Sequence, residues 1–180
     1  MRFSQFALSG AVVVEIEPLT DERGLFARTF CEAEFAEAGL PVSWPQTNVS
    51  FNELAGTVRG MHFQRQPHAE PKLVRCTQGK VYDVIIDLRP NSESYLQHAG
   101  IELSAQNYAA LYVPPGFAHG FQTLEEASEI LYLMGTSYMP EAQAGVRWDD
   151  PSFELSWPLP ISSIADRDAG YPDIEIDQLG

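Results

Sequence analysis

Residues 72–90 read KLVRCTQGKVYDVIIDLRP, two runs of high β propensity that meet at Gln78 and Gly79. Valine, isoleucine and tyrosine suit a pleated, half-buried surface, and a glycine in a two-residue connection supplies the backbone freedom a tight reversal needs. The pattern predicts an antiparallel hairpin. Alternation then puts Lys72, Val74 and Cys76 on one face, and in the second run sets Val81, Asp83 and Ile85 opposite Tyr82, Val84 and Ile86. From Pro41 onward the chain keeps this style. Short apolar runs at 96–103, 108–113 and 129–134 stand between Gly, Pro and Asn punctuation, the spacing of an all-β sandwich or barrel. Residues 11–16 read as an earlier strand that stops at Pro18 and a polar turn. One helix is expected. Thr29 and Glu32 have the capping-box spacing, and CEAEFAEA then ends at Gly39 with Pro41 behind it. Residues 145–160 read as loop, packed by Trp148 and Trp157.

Size and charge narrow the function. With 180 residues and 44% apolar content the chain fits one domain over 1–180 with a full core. A net charge of −14, with 11 Lys and Arg in total, leaves no basic face for nucleic acid. A small anion remains within reach if the few cations converge. In sequence they do, at VRGMHFQRQPHAEPKLVRC, which carries Arg59, His62, His68, Lys72 and Arg75. Cys31 and Cys76 lie far apart and in no C-x-x-C, which reads as two reduced thiols of a cytoplasmic protein. The start, MRFSQFALSGAVVVEIEPL, is interrupted by Ser9, Gly10, Glu15 and Glu17, too short and too charged for a signal or membrane segment.

Several chemistries find no support. A metal-binding barrel of this type usually offers two histidines one residue apart on a strand, but positions 60 and 64 are Gly and Gln, so His62 has no such partner and no metal is expected. There is no G-x-S-x-G elbow and no phosphate-cradling glycine loop. What remains is His, Lys, Tyr and Asp, the set that moves a proton on and off carbon beside a carbonyl. Taken singly, each has a plain structural role: His62 in a strand, Lys72 as a strand-end charge, Tyr132 in the core, Asp168 on the surface. His68 reads as a loop residue. Asp83 reads as a buried acid that pairs with Lys72 or tunes it.

Read together, the ordered motifs DERGLFARTF, QTNVSFN, VRGMHFQ, PHAEPKLVRC, GKVYDVIIDLR, VPPGFAHGFQ, GVRWDDP and ADRDAGYP span almost the whole chain. In them the chain resembles the dTDP-4-dehydrorhamnose 3,5-epimerase family. The resemblance implies an antiparallel jelly-roll (cupin) barrel with one short helix near the N-terminus, and an isomerase that uses neither cofactor nor metal. It also implies a homodimer with an exchanged N-terminal segment, and a nucleotide-sugar site in the barrel mouth. Carried over by position, His62 is the base and Asp168 its orienting acid, the terminal motif being aligned on Ala165 to Pro172, with Asp166 the rival if it is anchored on Ser163 instead. Lys72 stabilises the enolate oxygen and Tyr132 is the acid on the opposite face. Arg23, Phe26, Gln46, Asn48, Arg59 and His119 are ligands for nucleotide, pyrophosphate or sugar, and Tyr138 stacks on the base.

The implied reaction takes dTDP-4-dehydro-6-deoxy-D-glucose to dTDP-4-dehydro-L-rhamnose by inversion at C3 and C5. The same residues would serve a C3-only or C5-only epimerase of a related sugar, or a non-catalytic sugar-binding cupin. Arg28 stands where the best-known members carry Glu, Gln46-Thr47-Asn48 replaces their QDN, and Leu133 follows Tyr132 where Lys is frequent. One geometric demand follows. Plain alternation puts Arg59 and His62 on opposite faces, so a bulge at Gly60 is expected if both are to reach one ligand.

Overall fold

The computed structural model, which describes residues 1–176, is organised as two facing six-stranded sheets plus a separate two-stranded hairpin. In chain order the strands are β1 (Arg2–Gln5), β2 (Val12–Glu15), β3 (Leu19–Asp21), β4 (Gly24–Phe26), β5 (Gln46–Asn52), β6 (Thr57–Gln64) and β7 (Lys72–Gln78). They continue as β8 (Lys80–Asp87), β9 (His98–Ser104), β10 (Ala110–Val113), β11 (Phe117–Thr123), β12 (Ser128–Met134), β13 (Gln143–Gly145) and β14 (Ser163–Ile164). Two short helices interrupt them, α1 (Glu32–Glu37) and α2 (Asp166–Ala169).

Eight strands make the jelly roll. β5, β12, β7 and β10 lie side by side in the first sheet, and β6, β11, β8 and β9 in the second. From β5 to β12 the chain changes sheet at every step except β8 to β9, which pair directly. β1 and β2 extend the first sheet beyond β10; β13 and the parallel β14 flank β6.

The hairpin expected over 72–90 is therefore corrected. β7 pairs with β10 and β12 while β8 pairs with β9 and β11, so Gln78 and Gly79 turn a corner between sheets. Gly79 has φ +70°, and a Cβ there would lie 2.4 Å from Ser128 Oγ, which clamps the corner from the neighbouring strand. Local turn chemistry is the same for a hairpin and a corner. The near-continuous burial of β7 and β8 marks central strands covered on both faces, which alternation cannot assign to one sheet.

The capping box is also corrected. Cys31, not Thr29, occupies the N-cap of α1 and makes no side-chain cap bond. What holds this six-residue helix is Phe35, fully buried, with Phe3 edge-on at 5.3 Å and Phe30 at 4.8 Å. Together with Leu73, Tyr112 and Trp44 they cover the outer face of the first sheet. Burial of side chains this size contributes about 1.5–3 kcal/mol each, more than a cap would.

Between the sheets lies the main core, including Val74, Cys76, Ile85, Leu103, Leu111, Phe121 and Ile130. Burial pushes the Cys76 thiol up to about 11, so it packs as an apolar group. Met61, Val84, Ile86, Val146 and Phe153 form a second cluster outside the second sheet, joined by Trp157, whose indole donates to the Trp148 carbonyl at 2.9 Å. That layer explains why β11 is buried along its whole length. The sequence reading did not list β11 as a strand, because it lacks alternation and carries Gly120. Among the described residues no helix is long and apolar enough to cross a membrane.

Candidate active site

The site is built on β6, and β6 is bulged. His62 stands opposite His119 on β11, but Arg59 stands opposite Phe121, so two residues, Gly60 and Met61, face the single residue Gly120. Gly60 has φ +133°, and a Cβ there would lie 2.5 Å from the Gly120 Cα. Only glycine meets both demands. The extra residue brings Arg59 and His62 to one side, where both line a cavity of about 260 Å³ between the sheets.

The C-terminal segment locks the base from behind. β14 runs parallel to the start of β6, and α2 then delivers Asp168, 2% exposed, beneath the bulge. Its Oδ1 lies 2.8 Å from His62 Nε2, and its Oδ2 accepts the Gly60 N–H at 3.1 Å. Burial opposes ionisation of Asp168, but the bonds from His62, Gly60 and Arg167 outweigh it and hold the carboxyl below its ordinary range. An ionised carboxylate only accepts, so the ring nitrogen facing Asp168 is the one that donates, and in the neutral ring that tautomer leaves the lone pair on Nδ1. The rival Asp166 is exposed and makes no contact with His62 in this arrangement; its carbonyl caps Gly170.

Across the cavity stand Lys72 and Tyr132, from neighbouring strands of the first sheet. Lys72 is 5% exposed; burial pushes its amine down, opposed by the charges of Glu70 and Asp83. Its Nζ donates to the His62 carbonyl at 3.2 Å and lies 3.3 Å from Glu70 Oε1. Burial, then the charge of Asp83, pushes the Tyr132 phenol far above its ordinary value, with Arg59 and a Ser50 hydrogen bond opposing. The phenol thus keeps its proton. His119, on the same sheet as His62, is 6.1 Å from the Tyr132 ring and bonded to both Asp83 oxygens at 2.9 and 3.0 Å. Asp83 therefore pairs with His119 rather than Lys72, and reaches the lysine only through its charge.

The rim is less complete. Asn48 lines the cavity, and Gln46 accepts the Tyr138 N–H at 2.6 Å. Tyr138 is half exposed at the mouth and donates its hydroxyl to Gln143 Oε1 at 2.6 Å. Arg59 is oriented by Asn52, whose Oδ1 accepts its Nε–H at 2.6 Å. Arg23 and Phe26 are not brought to this cavity: they sit on the β3–β4 hairpin, where Phe26 is 74% exposed and Arg23 pairs with Asp21. His68 sits in the connecting loop, its carbonyl bonded to Gln64.

The sequence reading passed over Glu70, Gln64, Asn52, Ser50 and Arg167. Arg167 is the most consequential, its Nη2 lying 3.2 Å from His62 Nε2 and its Nε donating to Asp168 at 3.2 Å. Its place next to Asp168 was the available signal. Among the described residues no three His, Cys, Asp or Glu side chains are grouped to hold a metal ion.

The model of the dTDP-4-dehydrorhamnose 3,5-epimerase family matches residues 5–175. The chain belongs to that family. It is 44% identical over 158 residues to the dTDP-4-dehydrorhamnose 3,5-epimerase of Methanothermobacter thermautotrophicus, covering 88% of this chain and 84% of the relative. The crystal structure of the Elizabethkingia anophelis enzyme superposes with a TM-score of 0.94 at 35% identity, over 100% of this chain and 99% of the other. The Legionella pneumophila enzyme, in complex with dTDP-4-keto-L-rhamnose, gives a TM-score of 0.88 at 30% identity over 94% and 90%. The jelly-roll expectation thus agrees with both topology and relatives.

Proposed function

We propose that this chain inverts C3 and C5 of a dTDP-linked 4-keto-6-deoxy sugar, taking dTDP-4-dehydro-6-deoxy-D-glucose to dTDP-4-dehydro-L-rhamnose. The observation that carries the reading is that His62 and Tyr132 come from opposing sheets across one cavity, with Lys72 beside the tyrosine. A flat sugar ring held between them presents one face to the base and the other to the acid. His62 Nδ1 takes a proton from a carbon flanking the ketone, and the electron pair moves to the ketone oxygen. The Lys72 ammonium stabilises that oxygen as charge develops there. Tyr132 then returns a proton to the same carbon from the opposite side, and solvent restores both groups. No electrons leave or enter, so the chain's own acids and bases suffice for the balance.

The complex of the Legionella relative supports a dTDP-sugar as substrate. Arg59 supplies one cation for the pyrophosphate, and Tyr138 a ring at the mouth. We further propose that Arg23 and Phe26 reach the site of a second copy, in a homodimer that exchanges its N-terminal segment. The exposed β3–β4 hairpin supports this, as do Val49 and Phe51, 58% and 49% exposed on the outer face of the first sheet. The whole chain acts as one epimerase domain, and its buried Cys76 suits a cytoplasmic setting.

In heavy water, dTDP-4-keto-6-deoxyglucose incubated with the protein should gain deuterium at C3 and C5, followed by NMR, and yield dTDP-rhamnose when a rhamnose-forming reductase is added. Exchange at one carbon only, with no dTDP-rhamnose, would make the protein a mono-epimerase. Tight binding with no exchange would make it a binding module.

A further inference from the structure

Beneath the mouth, one buried acid has no part in the proton transfers described above. Glu70 is 9% exposed and directs its two oxygens to different partners. Oε1 lies 3.3 Å from Lys72 Nζ, and Oε2 accepts the Gln64 amide at 2.9 Å. Gln64, 4% exposed, in turn accepts the Met139 N–H at 2.7 Å and donates to the His68 carbonyl at 3.1 Å. The backbone closes the ring, since the Gly135 N–H donates to the Pro71 carbonyl at 2.9 Å. The lysine of the site is thereby tied to both segments that border its mouth, residues 65–71 and 135–142.

We propose that Glu70 is a positioning residue that keeps the Lys72 ammonium charged and fixed at the ketone oxygen, and couples it through Gln64 to the rim carrying Tyr138. This rests on the reading of Lys72 as the enolate-stabilising group. A bare ammonium at 5% exposure is strongly disfavoured, because desolvation acts on the charged form. Its surroundings otherwise divide. Asp83 on β8 favours the charge from a distance but is committed to His119 on β11, while Arg59 and His62 on β6 and Tyr132 on β12 offer no anion in the resting state. Glu70 is the carboxylate in ion-pair contact with Lys72. The Glu70 carboxylate pairs with the ammonium and the His62 carbonyl accepts one of its hydrogens, so donor capacity is left for a ligand.

Glu70→Gln keeps the shape and the amide-bonding capacity and removes only the charge. With wild type first shown to wash deuterium into the sugar, the variant should lose about 10- to 100-fold in kcat, the range for losing one charged partner in a buried site, with KM within about threefold. The alkaline limb of its pH–rate profile should move to lower pH. The 15Nζ signal of Lys72, followed by NMR titration without substrate, should likewise titrate at lower pH than in wild type. Glu70→Asp should recover part of kcat. An unchanged alkaline limb and an unchanged Lys72 titration would overturn the proposal even where the variant is less stable. Absence of wild-type exchange would instead overturn the reading of the site, and the amine titration would still report on Glu70.

Discussion

His62 gains its competence from one carboxylate, and the two candidate acids at the C-terminus differ only in where a four-residue helix points them. Asp168 is buried against the ring, whereas Asp166 faces solvent. Asp168→Asn replaces an acceptor by a group that can present an N–H, which favours the wrong ring tautomer; by analogy with other His–Asp pairs, exchange should fall about 10²- to 10⁴-fold. Asp166→Asn should stay within about twofold of wild type, and a larger loss there would shift the pairing. A stability signature accompanies the rate. Because the folded Asp168 carboxyl is held below its ordinary range, its contribution is present above the unfolded value of about 3.9 and is lost as pH falls through the lower folded value. Urea midpoints of wild type and Asp168→Asn should therefore differ most above about pH 5 and converge in stronger acid. The residue type and its motif were legible in the sequence. The roles of Arg167 and Glu70 were not: Arg167 adjoins Asp168 but reaches His62, 105 positions away, only in the fold, and Glu70 sits two residues from Lys72 in a loop whose path no periodicity describes.

At the level of elements, the bulge on β6 and the corner at Gly79 teach opposite lessons. The bulge was legible because two residues with a shared target, Arg59 and His62, stood at a spacing that a regular strand sends to opposite faces, with a glycine between them. The corner was misread because β7 and β8 satisfy hairpin chemistry locally, and only their partners decide which sheet each joins. Helix α1 was found for a partly wrong reason: its apolar Phe35 anchors it, while the apparent cap at Thr29 lies outside the helix. These cases make the bulge the element most open to test. Gly60→Ala puts a Cβ 2.5 Å from the Gly120 backbone at a φ of +133°, so something must shift. The expected loss is about 1–3 kcal/mol in stability, read from denaturant midpoints, together with a deuterium-exchange defect larger than that loss explains. Full exchange in a folded Gly60→Ala protein would show that Arg59 and His62 need not share a side.

At the scale of the whole molecule, Arg23 and Phe26 stand on an exposed hairpin away from the cavity lined by His62. A net charge of −14 gives no long-range attraction for a pyrophosphate, so the local cations matter, and within one chain Arg59 and Lys72 are the Arg and Lys that line the cavity. If a second copy supplies Arg23, each site in the dimer is shared, and shared sites can be complemented. Arg23→Ala alone should raise KM, as the loss of an anion contact does, and His62→Ala alone should abolish exchange. Mixed after reversible dissociation, the two variants form dimers in which one site has lost both groups while the other pairs an intact His62 with an intact Arg23. With random assortment about half the dimers are mixed, each with one complete site, so activity at low substrate should recover to about a quarter of wild type. The control is the double variant mixed with itself, which should stay inactive. Recovery confined to the simple average of the two parents would mean that Arg23 serves its own chain or no site at all, and the hairpin would then be an ornament of the interface rather than a wall of the active site.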